Sequence, residues 1–455
     1  MSSQEQPVER FAHDPDRVLP DDASDAVHVV LIGTKPDIIK QGPVYHELKN
    51  RGHKTMLCHT GQHFDHNLSG AIMTDFDLKP DANLEVVGNM AQLASGISGR
   101  LAGYLDELAV GGAAPILYVH GDTTTAMAGA VAAFSGGHGL VHVEAGLRTL
   151  SPTPEVLHEW VAGLRDNTLD WATYAAQTAA RASYGRGSRE PSPEQFNTRV
   201  ADAGSHLHAA PTELNREYLL DEGYAPQSID VVSNSVVDAV EQFLEHADAQ
   251  ELFETYPALE NGEFIRFCVH RRENTADESR FRALMSSMER LLEDGHRILF
   301  IRLLGTEAAI KRFGMESWLQ GLVDRFGERF VTSPVWESYA QVVLAMRHCA
   351  VIATDSGSIQ EEANILEVPC VTLRFGSDRG ESLLAGGNFL APPVDATTVA
   401  NAVHLVYSHV DQLTWERVYP SGASRMLVDA VERRLQVEGT LQSSEEWRYG
   451  LMPGR

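Results

Sequence analysis

The chain has 455 residues, too many for one ordinary core and about right for two or three domains. Hydrophobic residues make up 43% and charged residues 22%, which describes a globular protein, and no apolar run approaches the ~20 residues that span a bilayer. The formal net charge of −26 repels nucleic acid and anionic membranes, so we expect neither as a partner.

The N-terminal stretch 1–26 is polar and acidic and has no apolar core of a signal peptide. We therefore expect a disordered acidic arm there and a cytoplasmic protein. An acidic, lysine-poor surface suits a salt-rich cytoplasm, where screening removes self-repulsion, so we expect a halophilic source. The cysteines are scattered and form no CxxC pair, and we interpret them as buried free thiols: Cys58, Cys268, Cys349 and Cys370.

Short apolar runs that end in glycine or polar residues alternate with helical stretches in the first half of the chain. A helix is predicted at 36–50 and an alanine-rich helix ends at Phe134. The strands are predicted at 27–34, 55–60, 116–120 and 140–143. This alternation predicts a doubly wound parallel sheet, whose chemistry lies at the carboxyl ends of the strands.

The second half repeats the scheme, with strands predicted at 264–269, 298–301, 350–353 and 369–373. We therefore predict an α/β protein with two Rossmann-like lobes that face a cleft. The predicted boundaries are 27–238 for the N-terminal lobe, 239–420 for the C-terminal nucleotide-binding lobe, and 421–455 for a helix that returns to the N-terminal lobe, with its tail.

Residues 151–192 fit this scheme poorly and are predicted to form a helical insertion in the N-terminal lobe. Trp160, Trp171 and Tyr174 at helical spacing indicate packing rather than disorder. Three interpretations remain open: a lid that shields a reactive intermediate, an arm of a dimer interface, or a surface excursion.

Carboxylates follow two neighbouring strands of the predicted N-terminal sheet. Asp122 and Glu144 stand at strand ends, and Glu194 follows the insertion. Carboxylates there can serve as general acid or base, with pKa values tuned by burial and by each other. The alternative for Asp122 is an Asx turn.

The segment 354–362 follows a buried strand and opens a helix. Ser356 and Gly357 at a helix N-terminus let backbone N–H groups reach a phosphate, and Glu361 or Glu362 could accept both hydroxyls of a ribose. The alternative is an ordinary N-cap in which Ser356 caps the helix.

Cations that stand out against the acidic background lie at further strand ends. Arg374 and Arg379 follow one strand, and His270 and Arg271 follow another, in positions that suit an anion. Lys35, at the start of the first crossover, is expected to point into the cleft. For the loop with Arg374 and Arg379 and the loop with His270 and Arg271, the alternative is a solvated polar turn.

Several cofactor signatures are absent from the sequence. GTKPD at 33–37 is no Walker loop, and GxGxxG is missing, so NAD is not indicated. The histidine pairs His63/His66 and His206/His208 lack HExxH or CxxC support, so no metal site is expected. We therefore predict no cofactor.

These segments, read together, resemble the non-hydrolysing UDP-N-acetylglucosamine 2-epimerase family. The matches run in order from about residue 28 to 425, and the combination is specific. They are GTKPDIIK at 33–40, TGQH at 60–63, HGDTTT at 120–125, HVEAGLR at 142–148, PEQFN at 193–197, APTE at 210–213, HRREN at 270–274, TDSGSIQEE at 354–362 and LRFGSDRGE at 373–381.

The resemblance implies a GT-B-like fold and reversible interconversion of UDP-GlcNAc and UDP-ManNAc. The implied route is elimination of UDP to a 2-acetamidoglucal, followed by readdition, with no redox cofactor and with a UDP-sugar as the only substrate. We also expect a homodimer. The implied catalytic residues are Asp122, Glu144, Glu194 and His270, and the implied substrate-binding residues are Lys35, Arg271, Ser356, Gly357, Glu362 and Arg379.

The sequence departs from the family pattern in four places. Lys35 replaces an arginine, Leu303 begins a segment that lacks the usual histidine, Thr198 replaces an arginine, and roughly 40 residues are inserted after HVEAGLR. A UDP-2,3-diacetamido uronic acid 2-epimerase therefore remains possible as the activity, favoured by VPCVTLR and TGQHFDHN. A GT-B glycosyltransferase and a catalytically silent sugar-nucleotide binding protein are two further functions that this sequence leaves open.

Overall fold

The structure is a computed structural model that describes residues 12–13, 26–61, 70–246, 249–260, 262–336, 338–438 and 441. In chain order, its strands are β1 (Ala12–His13), β2 (Ala26–Ile32), β3 (Thr55–His59), β4 (Ala82–Asn83), β5 (Ala114–His120), β6 (Gly139–Val143), β7 (Ser151–Pro152), β8 (Tyr184–Gly185), β9 (Leu207–Ala210), β10 (Ile229–Val231), β11 (Phe264–Cys268), β12 (Arg297–Arg302), β13 (Phe330–Pro334), β14 (Val351–Thr354), β15 (Cys370–Thr372) and β16 (Asn388–Leu390).

The helices begin with α1 (Lys35–Asn50), α2 (Ala71–Asp75), α3 (Met90–Val110), α4 (Thr124–Gly136), α5 (Pro154–Arg165), α6 (Trp171–Ala179), α7 (Glu194–Gly204), α8 (Glu213–Asp221), α9 (Val236–His246) and α10 (Ala249–Thr255). They continue with α11 (Arg272–Thr275), α12 (Glu278–Glu293), α13 (Leu304–Arg312), α14 (Glu316–Phe326), α15 (Tyr339–His348), α16 (Gly357–Leu366), α17 (Gly380–Leu384), α18 (Ala396–Tyr407) and α19 (Ala423–Glu438).

Two separate sheets organise the molecule. The first has the order β1-β4-β3-β2-β5-β6-β9-β10 and is parallel except for the pairing of β1 with β4. The second has the order β13-β12-β11-β14-β15-β16 and is parallel throughout. Their central strands are buried and apolar because helices cover both faces. The predicted α/β class with two Rossmann-like doubly wound lobes is confirmed.

The predicted disordered arm 1–26 lies mostly outside the described residues. Within it, Ala12–His13 pair with Ala82–Asn83 at the edge of the first sheet, so the arm is ordered at that point, and Ala26 already belongs to β2. At the opposite end of the chain, α19 lies against α1, where Arg51 pairs with Asp429 at 2.7 Å. The C-terminal helix thus contacts the N-terminal lobe.

The insertion 151–192 interrupts the N-terminal half of the sequence, yet it packs on the C-terminal sheet. The hydroxyl of Tyr174 in α6 donates to the backbone oxygen of Leu390 at 2.7 Å, and the amide of Asn401 donates to the backbone oxygen of Leu164 at 2.6 Å. Trp160 and Tyr174 are buried in the same apolar cluster as the C-terminal strands. The insertion therefore bridges the two lobes, although the sequence assigned it to the N-terminal lobe.

The root of this insertion is joined to the loop that carries Arg379. Leu150 and Ser377 exchange backbone hydrogen bonds of 2.8 and 2.9 Å. A Cβ atom at Gly376 would stand 2.6 Å from the backbone oxygen of Leu150, so only glycine permits this approach.

The remaining sequence expectations concern cysteines and membranes. The four cysteines are buried free thiols, as predicted. Within the described ranges, no helix has the length and apolar character needed to cross a bilayer.

Candidate active site

The site begins where β5 and β6 end side by side. His120 pairs with Val143 in register, so the Gly121–Asp122 turn and Glu144 leave the sheet at the same edge. Gly121 has a φ of 62°, and a Cβ atom there would stand 3.0 Å from Oε2 of Glu144. Glu144 itself adopts a left-handed φ of 68°, an unfavourable conformation for a non-glycine residue that the surrounding contacts must maintain.

A chamber of about 300 Å³ opens between the lobes at this edge. Both lobes contribute to its wall, and most of the predicted site residues line it together. The predicted residues that line the chamber are Asp122, Glu194, His270, Arg271, Ser356 and Arg379.

Glu144 is not among the lining residues, because it is enclosed by a cluster of cations. Lys40 Nζ lies 3.0 Å from both of its carboxylate oxygens, Nη2 of Arg379 lies 2.8 Å from Oε1, and Nε2 of His120 contacts Oε2. Burial alone would raise the pKa of Glu144, but Lys40, Arg379 and His120 hold it well below the ordinary value. These cations thus favour the ionised form of Glu144 behind the chamber wall.

The same cluster joins the lobes electrostatically. Lys40 from α1 reaches Oε2 of Glu361 in α16 at 2.5 Å, and Nε of Arg379 lies 2.5 Å from Oε1 of the same residue. Lys40 is buried; burial alone would lower its pKa, and Glu144 and Glu361 raise it. Lys40 and Arg379 thus each contact one carboxyl group from either lobe, Glu144 and Glu361.

His120 completes this cluster and is oriented by a second acid. Its Nδ1 lies 3.2 Å from Oδ1 of Asp37, whose second oxygen accepts from the backbone N–H of Thr34 at 2.9 Å. Burial alone would lower the pKa of His120, whereas Glu144 and Asp37 raise it. The imidazole is consequently held between two acids at the chamber wall.

Asp122 and Glu194 line the chamber, and each has a buried carboxylate oxygen without a hydrogen-bond partner among the described residues. Burial raises the pKa of Asp122, although Arg379 and Arg271 oppose this shift. Glu194 begins α7 and accepts from Nη1 of Arg271 at 2.5 Å, while its Oε2 has no partner among the described residues. Such carboxylates, partly paired and facing a cavity, suit proton transfer.

A buried aspartate shapes the cationic loop after β11. Asp355 accepts from the backbone N–H groups of His270 and Arg271 at 2.9 Å each. The side chain of His270 is 35% exposed, and its partial removal from water lowers the pKa of the imidazole. This shift favours the neutral imidazole of His270, whose Nε2 has no hydrogen-bond partner among the described residues.

The N-terminus of α16 faces the same chamber. Ser356 is the N-cap residue, but its side chain makes no capping hydrogen bond, so the ordinary N-cap interpretation does not explain it. A Cβ atom at Gly357 would stand 3.1 Å from Nη2 of Arg271 and 3.3 Å from Cζ of Arg379. The glycine lets two guanidinium groups approach a helix N-terminus, which together favour an anion.

A second cavity of about 410 Å³ adjoins the chamber and shares Thr34, Pro36, His270, Ser356 and Ser358 with it. Its remaining wall is largely apolar. Its lining includes Ile301, Leu303, Val335, Trp336, Tyr339 and Ile359.

Two predicted binding residues lie in this second cavity. Nζ of Lys35 donates to the backbone oxygen of Trp336 at 3.2 Å, which places the lysine away from the catalytic chamber. Glu362 accepts from the hydroxyl of Tyr339 at 2.6 Å, and burial raises its pKa. One carboxylate oxygen of Glu362 thus remains for a ligand hydroxyl.

The HVEAGLR segment holds the strand ends in place through a buried network. His142 Nδ1 lies 2.7 Å from Asp202, and its Nε2 lies 2.8 Å from the backbone oxygen of Gly121. Arg148 donates to the second oxygen of Asp202 at 2.8 Å. Burial alone would raise the pKa of Asp202, but His142 and Arg148 hold it well below the ordinary value. These residues position the Gly121–Asp122 turn and do not line the chamber.

Sequence reasoning missed Lys40 and His120 as site residues. His120 is a strand-end residue next to Asp122, so the argument used for the carboxylates would have found it. Lys40 follows Ile38 and Ile39 and gave no local signal, because its burial depends on carboxylates far away in the sequence. Among the described residues, no group of three or more His, Cys, Asp or Glu side chains is arranged to hold a metal ion.

Comparison with known proteins gives consistent matches. A family model described as UDP-N-acetylglucosamine 2-epimerase matches residues 46–181 and 185–431. The UDP-N-acetylglucosamine 2-epimerase of Methanococcus maripaludis is 28% identical over 406 residues, which cover 88% of this chain and 96% of that protein. That of Salmonella typhimurium is 26% identical over 398 residues, covering 86% and 93%.

Solved structures share the fold. The UDP-GlcNAc 2-epimerase of Methanocaldococcus jannaschii, in complex with UDP-GlcNAc and UDP, superposes with a TM-score of 0.72 at 24% identity, over 90% of this chain and 99% of that one. The enzyme from Neisseria meningitidis bound to UDP-GlcNAc gives 0.72 at 24% identity, over 89% and 99%. These similarities confirm the predicted GT-B-like arrangement of the two lobes.

Proposed function

Because the chain belongs to the UDP-N-acetylglucosamine 2-epimerase family, an isomerase family, we propose that it interconverts UDP-GlcNAc and UDP-ManNAc. The observation that supports this most strongly is that Asp122 and Glu194, each with an oxygen that has no hydrogen-bond partner among the described residues, line the same chamber as Arg271 and Ser356 at the start of α16. Proton transfer needs the carboxylates, and an anionic leaving group needs the cation and the helix N-terminus.

The reaction needs this combination because the C2 proton of the sugar is not alpha to a carbonyl. A carboxylate removes that proton while the C1–O bond to the diphosphate breaks, which leaves a C1=C2 double bond in 2-acetamidoglucal and releases UDP within the site. In the reverse step, UDP oxygen adds to C1 and a proton is delivered to the opposite face of C2. Cations that hold the diphosphate stabilise the charge that develops on it.

The geometry supports one placement of the substrate along the two cavities. The diphosphate lies at Ser356 and Gly357, within reach of Arg271 and Arg379. The sugar occupies the chamber beside Asp122, and the nucleoside extends into the apolar cavity. There the free oxygen of Glu362 is available to the ribose hydroxyls.

Within the predicted catalytic set, we assign the acid/base pair to Asp122 and Glu194. The raised pKa of Asp122 suits a group that must exchange a proton near neutral pH. Glu144, a buried anion that is paired with Lys40 and Arg379, instead acts as a positioning residue for the cations. His270, neutral and adjacent to Ser356, is placed to donate a hydrogen bond to the diphosphate.

The test is to incubate the protein with UDP-GlcNAc in heavy water and follow C2 by NMR. We expect deuterium at C2 together with UDP-ManNAc, since both epimers regain their proton from solvent. A parallel sample of a UDP-2,3-diacetamido uronic acid examines the alternative substrate. Deuterium exchange with that compound alone would show that the alternative substrate is correct, and absence of exchange with either would overturn the proposal.

The proposal also includes a homodimer, a cytoplasmic location and a halophilic source. Val131 and Phe134 of α4 are 41% and 58% exposed and lie on one face of the helix, which favours a homodimer. Analytical ultracentrifugation of the wild type and of Phe134→Lys tests this: a wild-type dimer that the variant converts to monomers is expected. The cytoplasmic location and the halophilic source rest on sequence composition.

A further inference from the structure

Arg266 lies in the middle of β11, a position where the neighbouring residues of the sheet are apolar. Its register partners are Leu299 in β12 and Ile352 in β14. Its side chain is buried, with 3% of the residue exposed, and it lines the second cavity together with Glu362 and Cys268. A charged side chain at the centre of a parallel sheet is unusual, because such strands are buried on both faces.

The guanidinium group of Arg266 is not satisfied by the surrounding protein. Its Nε and Nη1 atoms are buried and have no hydrogen-bond partner within the part of the chain that the structure describes. Arg266 is close enough to Glu362 to lower the pKa of that carboxyl group, yet no hydrogen bond or ion pair joins the two side chains. Burying an arginine without a partner is costly, so the cavity requires an acceptor that comes from outside the chain.

The chemistry of that acceptor follows from the proposed function, on which this inference rests. The diphosphate is placed at Ser356 and Arg271, and the ribose hydroxyls are placed at Glu362. The apolar wall formed by Ile301, Trp336 and neighbouring residues is then the part of the cavity that can contact the base. A guanidinium group only donates hydrogen bonds, so it pairs with a ring carbonyl oxygen and not with an exocyclic amino group.

We propose that Arg266 is a specificity-determining residue that donates to a carbonyl oxygen of the base and thereby favours uracil over cytosine. Uracil presents a carbonyl oxygen where cytosine presents an amino group, and the amino group would leave the buried guanidinium without its acceptor. Discrimination by a buried polar group is strong for this reason: the wrong ligand leaves that group unpaired.

The experiment compares binding of UDP and CDP to three proteins by isothermal titration calorimetry: wild type, Arg266→Met and Glu362→Gln. We expect the wild type to bind UDP more tightly than CDP. Arg266→Met should lose about 10–100-fold in UDP affinity, the cost of one charge-assisted hydrogen bond. Its CDP affinity should change by less than about 3-fold, because cytosine does not form that bond. Glu362→Gln is the matched control. Because UDP and CDP share the ribose, this substitution should weaken the binding of the two nucleotides equally.

Each remaining result overturns the inference. An equal loss of UDP and CDP affinity in Arg266→Met, or no loss of UDP affinity, means that Arg266 does not read the base. Thermal unfolding of the ligand-free variant checks the fold; we expect no decrease in Tm, because the substitution removes an unpaired buried charge. If Arg266→Met does not fold, Arg266→Gln is measured in the same way: its amide can both donate and accept, so the preference for UDP over CDP should fall, and an unchanged ratio of the two affinities refutes the proposal.

The failure of this inference is distinguishable from failure of the proposed function. A wild type that exchanges the C2 proton of UDP-GlcNAc but shows the same nucleotide preference after substitution of Arg266 refutes only the role of Arg266. A wild type that neither binds UDP nor exchanges the proton refutes both.

Discussion

The two adjoining cavities differ in how their charges are satisfied. Behind the chamber, Lys40 and Arg379 contact both Glu144 and Glu361 at 2.5–3.0 Å, and the contacts Lys40–Glu361 and Arg379–Glu144 cross the lobe boundary. In the second cavity the wall is mostly apolar, and Arg266 has no partner among the described residues. The cluster behind the chamber is thus paired within the protein, whereas we propose that a ligand supplies the acceptor for Arg266 in the second cavity.

We relate this difference to two roles: the chamber with paired charges to the reaction, and the cavity with the unpaired arginine to recognition of the nucleotide. Charges that are already fixed by ion pairs need no reorganisation when charge develops on a leaving group, which is the condition for electrostatic catalysis. An unpaired donor in an apolar cavity contributes nothing until an acceptor arrives, and it then discriminates between ligands. The predictions below test this division, in order of decreasing expected effect.

Asp122→Asn should lower turnover on the order of 10²–10⁴-fold, because it removes the carboxylate that we propose for proton transfer. Its affinity for UDP should stay within about 3-fold of wild type, since the proposed position of the nucleoside is in the second cavity; loss of a hydrogen bond to a charged group would cost more than this. Initial rates of UDP-ManNAc formation and calorimetric titration with UDP measure the two quantities. Glu194→Gln should behave in the same way, and near-normal turnover in both variants contradicts the assignment.

Glu144→Gln should destabilise the protein by about 3–5 kcal/mol, as removal of one partner of a buried ion pair does, and turnover should fall with it. Urea denaturation measures the free energy of unfolding, and Asp122→Asn is the control, because Asp122 is not the centre of such a cluster. Equal stability of the two variants would contradict the distinction between a positioning and a reacting carboxylate.

The same variant has a pH dependence of known sign. The folded-state pKa of Glu144 lies well below the unfolded value, so its contribution to stability is present above the unfolded pKa of about 4.3 and is lost as pH falls through the folded pKa. The stability difference between wild type and Glu144→Gln should therefore be full at neutral pH and shrink progressively as pH falls below about 4.3. A difference that grows on acidification would contradict the ionised state of Glu144.

Replacement of 153–188 by a short Gly/Ser linker tests the insertion. It should expose the apolar face of the C-terminal lobe that Trp160 and Tyr174 cover and lower the melting temperature. Every residue from 151 to 192 is described and none lines either cavity, so we interpret the insertion as a bridge between the lobes rather than a lid. Because the variant lacks a contact between the two lobes, it should still release more free UDP per epimer formed. Sedimentation shows whether its oligomeric state also changes.

The smallest effect is expected for Tyr174→Phe, at about 0.5–1.5 kcal/mol of stability for one buried hydrogen bond. Tyr184→Phe is a matched control: both hydroxyls donate at 2.7 Å, but that of Tyr174 bonds Leu390 of the C-terminal lobe and that of Tyr184 bonds Thr178 within the insertion. If the insertion holds the lobes together, only Tyr174→Phe should raise UDP release. Equal release from the two variants would contradict the bridge.

Much of the site was predictable because it depends on local rules. A buried run ending in Gly121–Asp122, and another ending in Glu144, predict neighbouring strand ends, and β5 and β6 are indeed adjacent. The Ser356–Gly357 turn opens α16 as expected, and six predicted residues line one chamber. Strand periodicity and the carboxyl-end rule use information within a few residues of each position.

The sequence by itself therefore determined the α/β class, the paired strand ends and the start of α16, since each follows from short-range periodicity and backbone polarity. Only the tertiary structure decided that Glu144 faces Lys40 and Arg379 rather than the chamber, because those contacts join residues that are far apart in the chain. It alone placed the insertion against Leu390 of the C-terminal lobe. Burial of a charge depends on what packs around it from every side, and that environment exists only in the folded chain.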